Sequence, residues 1–135
     1  MPEASGNFCT RGGRFGTHSS NESYAPVYFK RLMFFAHFNA GVRVLDVRDP
    51  FAPKEVAFYI PAMNANTVVL ETPAAQVGKL PFTEASTRRA IQTNNVEVDE
   101  RGYIYIVDRA NTGMHILELT GPARAIVNWK AAAAN

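Results

Sequence analysis

The sequence predicts an all-β fold of short antiparallel strands, on three observations. One pattern is written twice. Leu32-Met33-Phe34-Phe35 runs through Asn39-Ala40-Gly41 to Val42-Arg43-Val44-Leu45-Asp46-Val47, and Ile104-Tyr105-Ile106-Val107 runs through Asn111-Thr112-Gly113 to Met114-His115-Ile116-Leu117-Glu118-Leu119. The runs are β-branched and aromatic and are bounded by Gly, Pro, Asn and Asp. They are also apolar on both faces, as in sheets covered on both sides. Repetition converts a β-rich chain into a stack of similar sheet units, each needing neighbours to bury its faces.

The elements follow in order. Cys9 to Tyr24 is rich in Gly, Arg, Ser and Asn and reads as a loop leading into a strand at Phe15 to Ser20. A second strand is expected from Arg31 to His37 and a third from Val42 to Val47. Gly41 between them suits a tight turn that needs a positive φ. Asp49-Pro50 starts a turn, and Pro50 with Pro53 excludes a ladder strand there. Lys54 to Ile60 is the fourth strand, closed by Pro61. This four-strand meander has the form of one β-propeller blade. The second unit repeats it with Thr93 to Asp99, Tyr103 to Asp108 and Met114 to Leu119, joined by the Asp99-Glu100-Arg101-Gly102 hairpin. Ile126 to Trp129 is the candidate for its fourth strand, weakened by Gly121-Pro122 before it and the Ala131 to Ala134 run after it.

The fold class read from the sequence is therefore all-β: two consecutive four-stranded antiparallel blades of an incomplete β-propeller. Blade one spans about 15–61 and blade two about 91–129. Between them, about 63–90 lacks strand periodicity, carries Pro73, Gly78 and Pro81, and reads as an irregular insertion on one face of the stack. The whole chain, 1–135, is one partial domain. Two blades are too few to close a propeller, so a piece of something larger is expected.

Composition narrows the classes. With 47% hydrophobic and 19% charged residues the chain has enough apolar matter for a core. A net charge of +2, with only Lys30-Arg31 and Arg88-Arg89 as adjacent cations, gives no nucleic-acid surface. The single cysteine, Cys9, excludes an intrachain disulfide. The first residues have neither the basic start nor the apolar stretch of a secretory signal, and no run approaches the ~20 apolar residues of a membrane-spanning helix.

At this point the residues resemble a known family. Gly41-Val42-Arg43-Val44-Leu45-Asp46-Val47-Arg48-Asp49-Pro50-Phe51-Ala52-Pro53 resembles the LVIVD repeat, Gly-Leu-x-Ile-x-Asp-Val-x-Asp-Pro-x-x-Pro. Cys9 to His18, Asn94 to Asp99 and Asp108 to Leu119 are similar to stretches near the C-terminal end of bacterial LVIVD-repeat proteins. The similarity runs from Cys9 to about Asn128 and is weakest in the insertion. It implies a C-terminal fragment of a β-propeller built from several such repeats, extracytoplasmic if the full-length protein carries an export signal. It implies a fold more firmly than an activity. In the second copy Leu119-Thr120-Gly121-Pro122 replaces the Val-x-Asp-Pro turn.

Chemistry is sparse. His18, His37 and His115 have the spacing of no compact ligand motif, so no metal and no cofactor is expected. His18 keeps interest because it fills the slot that Asn94-Asn95 fills in the second unit, on the strand nearest a propeller axis. Polar residues there converge on a ligand or simply bond water and backbone in the channel. Arg11 and Arg14, with the glycines between them, have the composition of an anion-binding loop, against the alternative of a solvated loop. No helix with Lys-Ser/Thr follows, so this is not a P-loop. Cys9 beside Arg11 reads as an incidental thiol. Glu97, Asp99 and Asp108 lie close in sequence, but turn and ion-pair roles are the default for them. Phe34-Phe35, Phe58-Tyr59, Tyr103 and Tyr105 read as packing between blades.

Two functions remain. One is a non-catalytic binding or scaffold module: its partners are the remaining blades or a second copy, with a protein or small molecule as ligand. The other is part of a propeller enzyme with a channel site, metal-dependent in one version, that includes His18, Asn94 and Asn95.

Overall fold

A computed structural model describes residues 7–8, 10–21, 25–70 and 88–132. Cys9 and most of the expected insertion, 71–87, lie outside the described residues. The chain is an antiparallel all-β protein whose sheet curls into a half-barrel. Its strands are β1 (Phe15–Ser20), β2 (Leu32–Phe38), β3 (Val42–Asp46), β4 (Lys54–Tyr59), β5 (Thr93–Val98), β6 (Ile104–Asp108) and β7 (Met114–Leu117). They run in the order β4-β3-β2-β5-β6-β7, with β1 also on β2. Only Phe38 opposite Thr93 bridges β2 to β5 among the described residues. The sheet therefore has two leaves, β1–β4 and β5–β7, hinged at that bridge.

The core lies between the leaves. On β2 and β3, Leu32, Phe34, Ala36, Val42 and Val44 turn inward; on β5 and β6, Val96, Val98, Ile104 and Ile106 do the same. Strand alternation forces this, because every second side chain faces the same way. Tyr28, from the helical turn at 25–31, is wedged between them. Its ring meets Phe34 edge-on, and its hydroxyl donates to the Gly102 carbonyl at 2.5 Å. Burial pushes the Tyr28 phenol well above its usual range.

Two expectations change. The segment 126–129 is not a strand. Gly121–Arg124 forms a short helix, α1, with Pro122 in its first turn, and Trp129–Ala132 forms α2. Proline in a first helical turn loses no hydrogen bond, so Gly121-Pro122 starts a helix here where it weakens a strand. The repeat is also out of step by one residue in its first strand. His37 N–H donates to the Gly41 carbonyl around Phe38, Asn39 and Ala40. Asp108 N–H donates to the Gly113 carbonyl around Arg109, Ala110, Asn111 and Thr112, a turn one residue longer. Hence Met33 and Phe35 correspond to Ile104 and Ile106, while Leu45 still corresponds to Leu117. Among the described residues no helix is long and apolar enough to cross a membrane.

Candidate functional site

The site the sequence singles out is built where β1 meets β5. His18 Nδ1 lies 2.8 Å from the Asn94 carbonyl oxygen, and the Ser19 hydroxyl donates to that same oxygen at 2.8 Å. The Asn94 side-chain amide donates to Oδ1 of Asn95. The His18 ring meets Phe38 edge-on, with centroids 5.0 Å apart. His18, Asn94 and Asn95 are thus one polar ridge, with His18 and Asn95 exposed. Pairing explains it: Ser19 opposes Ala36 on β2, and Asn95 opposes Val107 on β6, equivalent positions once the longer turn is counted.

Arg11 and Arg14 stand elsewhere. The Arg11 guanidinium lies over the Phe8 ring, 5.5 Å from its centroid. Arg14 is held by its backbone, which receives and gives bonds to the Gln92 side chain. Gly12 and Gly13 are needed for close packing: a Cβ at Gly13 would sit 2.1 Å from Gln92 Nε2. Asn39 is buried and donates to the carbonyls of Phe8 and Gly12. The glycine-rich loop is therefore clamped against Gln92 and Asn39 by its own backbone. The acids take structural parts. Asp108 accepts from the backbone N–H groups of Gln92, Ala110 and Thr112, which fixes the longer turn. Burial alone would raise Asp99, but bonds from Arg101, the Tyr103 N–H and the Tyr105 hydroxyl outweigh it and hold its carboxyl low. Among the described residues no three His, Cys, Asp or Glu side chains are grouped to hold a metal ion.

A second polar group carries no motif in the sequence. Phe15, Thr17, Phe35, His37, Arg43 and Glu55 line a cavity of about 160 Å³ on the outer face of the first leaf. Arg43 is 3% exposed and grips Glu55 through Nε (3.1 Å) and Nη2 (2.9 Å), while Nη1 donates to the Ala40 carbonyl. Its guanidinium also lies over Phe58, 4.7 Å from the ring centroid. The available signal was a cation flanked by Val42 and Val44 in an apolar strand. His37 Nε2 and the Thr17 hydroxyl share a 2.6 Å hydrogen bond.

Burial and the nearby Arg43 charge lower the His37 pKa from its usual 6.5. The folded state thus binds a proton less readily than the unfolded chain. This contribution to stability is complete above 6.5 and is lost as pH falls below it. Urea unfolding across that window should show stability declining with acid, and His37→Gln should flatten the slope. A His37→Gln protein with an unchanged slope would exclude this histidine as the cause. Asp46 and Asp99, both held below the usual 3.8, act in a separate and more acid window.

Neither a family model nor a curated protein matches this chain.

Proposed function

We propose that the chain is a non-catalytic scaffold module, two consecutive blades of an LVIVD-type propeller, that works by presenting faces to neighbouring blades and partners. One observation carries the reading. With the longer turn counted, the outward row Met33, Phe35 and Leu45 of the first leaf is the counterpart of the inward row Ile104, Ile106 and Leu117 of the second. The inward Ala36, Val42 and Val44 are the counterparts of the outward Val107, Met114 and Ile116 in the same way. Leaves related so follow one another like successive blades about an axis, with β1 and β5 innermost and the His18–Asn94 ridge beside that axis. Simple face-to-face sandwiching would instead bury equivalent rows against each other.

The ridge favours a structural role over chemistry, because the His18 ring and the Ser19 hydroxyl are both engaged by one backbone carbonyl. Elemental analysis of the purified protein and of His18→Ala tests this. The expected result is no stoichiometric metal in either, with a loss of about 1 kcal/mol or less, a few degrees in Tm. Bound metal that disappears on substitution would overturn the reading in favour of a channel site.

A further inference from the structure

We propose that the groove on the outer face of the first leaf docks the outer face of the second leaf of another copy of this chain, head to tail. The proposal rests on the successive-blade reading above and names the partner that reading leaves open. The groove measures about 850 Å³ and is lined by Phe29, Met33, Phe35, Leu45 and Val47, with Lys30 among them. The opposite face presents Val107, Met114 and Ile116, which are 45%, 61% and 57% exposed. Exposed apolar rows on two faces are candidate association surfaces.

The row correspondence identifies the occupant. Each exposed face is the counterpart of one half of the interface already buried inside the chain. Met33, Phe35 and Leu45 stand where Ile104, Ile106 and Leu117 stand, and those three are covered by the first leaf. Val107, Met114 and Ile116 stand where Ala36, Val42 and Val44 stand, and those are covered by the second leaf. Joining copies head to tail repeats the internal stacking; joining like faces does not. A contact between two different faces either closes into a ring or continues as an open chain.

Sedimentation analysis of the full chain over a wide concentration range tests this, with variants that each spoil one face. Met114→Glu/Ile116→Glu spoils the second leaf, and Phe29→Glu/Met33→Glu spoils the groove. Phe29→Glu alone, at a residue more than half exposed, is a second groove variant, and circular dichroism verifies that each remains folded. The wild type should exceed dimer mass at high concentration, and each folded variant alone should bind at least tenfold more weakly. A mixture of the two double variants should recover a one-to-one pair and nothing larger, because each supplies the face the other lacks. A wild type that stays monomeric, a spoiled face that still associates, or a mixture that fails to pair would overturn the proposal. Ile106→Asp, inside the chain's own leaf interface, separates the two levels. If it unfolds while the wild type is a folded monomer, only docking fails. If it stays folded, the stacked leaves fail and docking with them.

Discussion

Gly41→Ala should cost about 3 to 5 kcal/mol, while Gly113→Ala, at the matching place in the second repeat, should cost only about 1 to 2. Both glycines have positive φ, +73° and +111°, so each substitution carries the left-handed penalty of an L-residue. They differ in what a Cβ would meet. At Gly41 it would lie 2.0 Å from the Tyr59 carbonyl oxygen and 2.9 Å from the Ile60 Cα, both backbone atoms. A backbone cannot swing aside as a side-chain end can. Relief requires β4 to part from β3 at Val42 and Tyr59, at the edge of the first leaf. At Gly113 no atom of the described residues lies within 4 Å of the added Cβ. Urea titrations of both variants test the ordering, with the m-value showing whether the transition remains two-state. Equal losses at the two glycines would mean that conformation alone, and not the approach of β4, makes Gly41 necessary.

That contrast shows what the sequence makes legible. The strands are readable because β-branched and aromatic runs are bounded by turn residues, and β2 to β7 lie within a few residues of where those runs place them. The matched glycines are readable as turn positions for the same reason. The length of the turn is not. In the first repeat Phe38 itself takes a left-handed conformation (φ 45°), and in the second Asn111 does (φ 65°). An aromatic residue gives no compositional sign of that state, so aligning the glycines puts Leu32 against Ile104 when the backbone puts Met33 there. A slip of one residue exchanges the faces of a strand, and the correspondence between outward and inward rows becomes visible only in three dimensions. The equivalence of His18 and Asn94 was legible in the sequence, whereas their contact across β1 and β5 is seen only in the structure. How the loop around Arg11 and Arg14 is held was not legible, because composition does not show that the Arg14 N–H donates to Gln92 or that the Gly12 carbonyl accepts from Asn39. The Arg43–Glu55 pair was hidden by the bulge between Val44 and Leu45, which breaks the simple count across β3 and β4.

Removing Glu55 should harm the protein more than removing Arg43, although the two form one ion pair. Arg43 is 3% exposed and Glu55 23%, so the cation is the partner that cannot return to water. Glu55→Ala strands a buried guanidinium with, among the described residues, the Ala40 carbonyl as its remaining hydrogen-bond partner and is expected to cost about 3 to 5 kcal/mol. Arg43→Met keeps an unbranched apolar stem against Phe58 and leaves a carboxylate that can turn outward, so about 1 to 2 kcal/mol is expected. The double variant Arg43→Met/Glu55→Leu removes both charges from an apolar face and should return to within about 1 kcal/mol of the wild type. Salt provides an independent check. The exposed pair between Arg48 and Asp46 should be screened by added salt, whereas the Arg43–Glu55 coupling in a double-mutant cycle should persist. Suppose instead that Arg43→Met proves the costlier change. The outer face of the first leaf would then need a cation as such, and an apolar neighbour stacked on it would be the wrong kind of partner. The ordering of these two losses thus bears on what that face is built to meet, since a charge sealed by its own carboxylate leaves Phe35 and Leu45 beside it as an apolar surface.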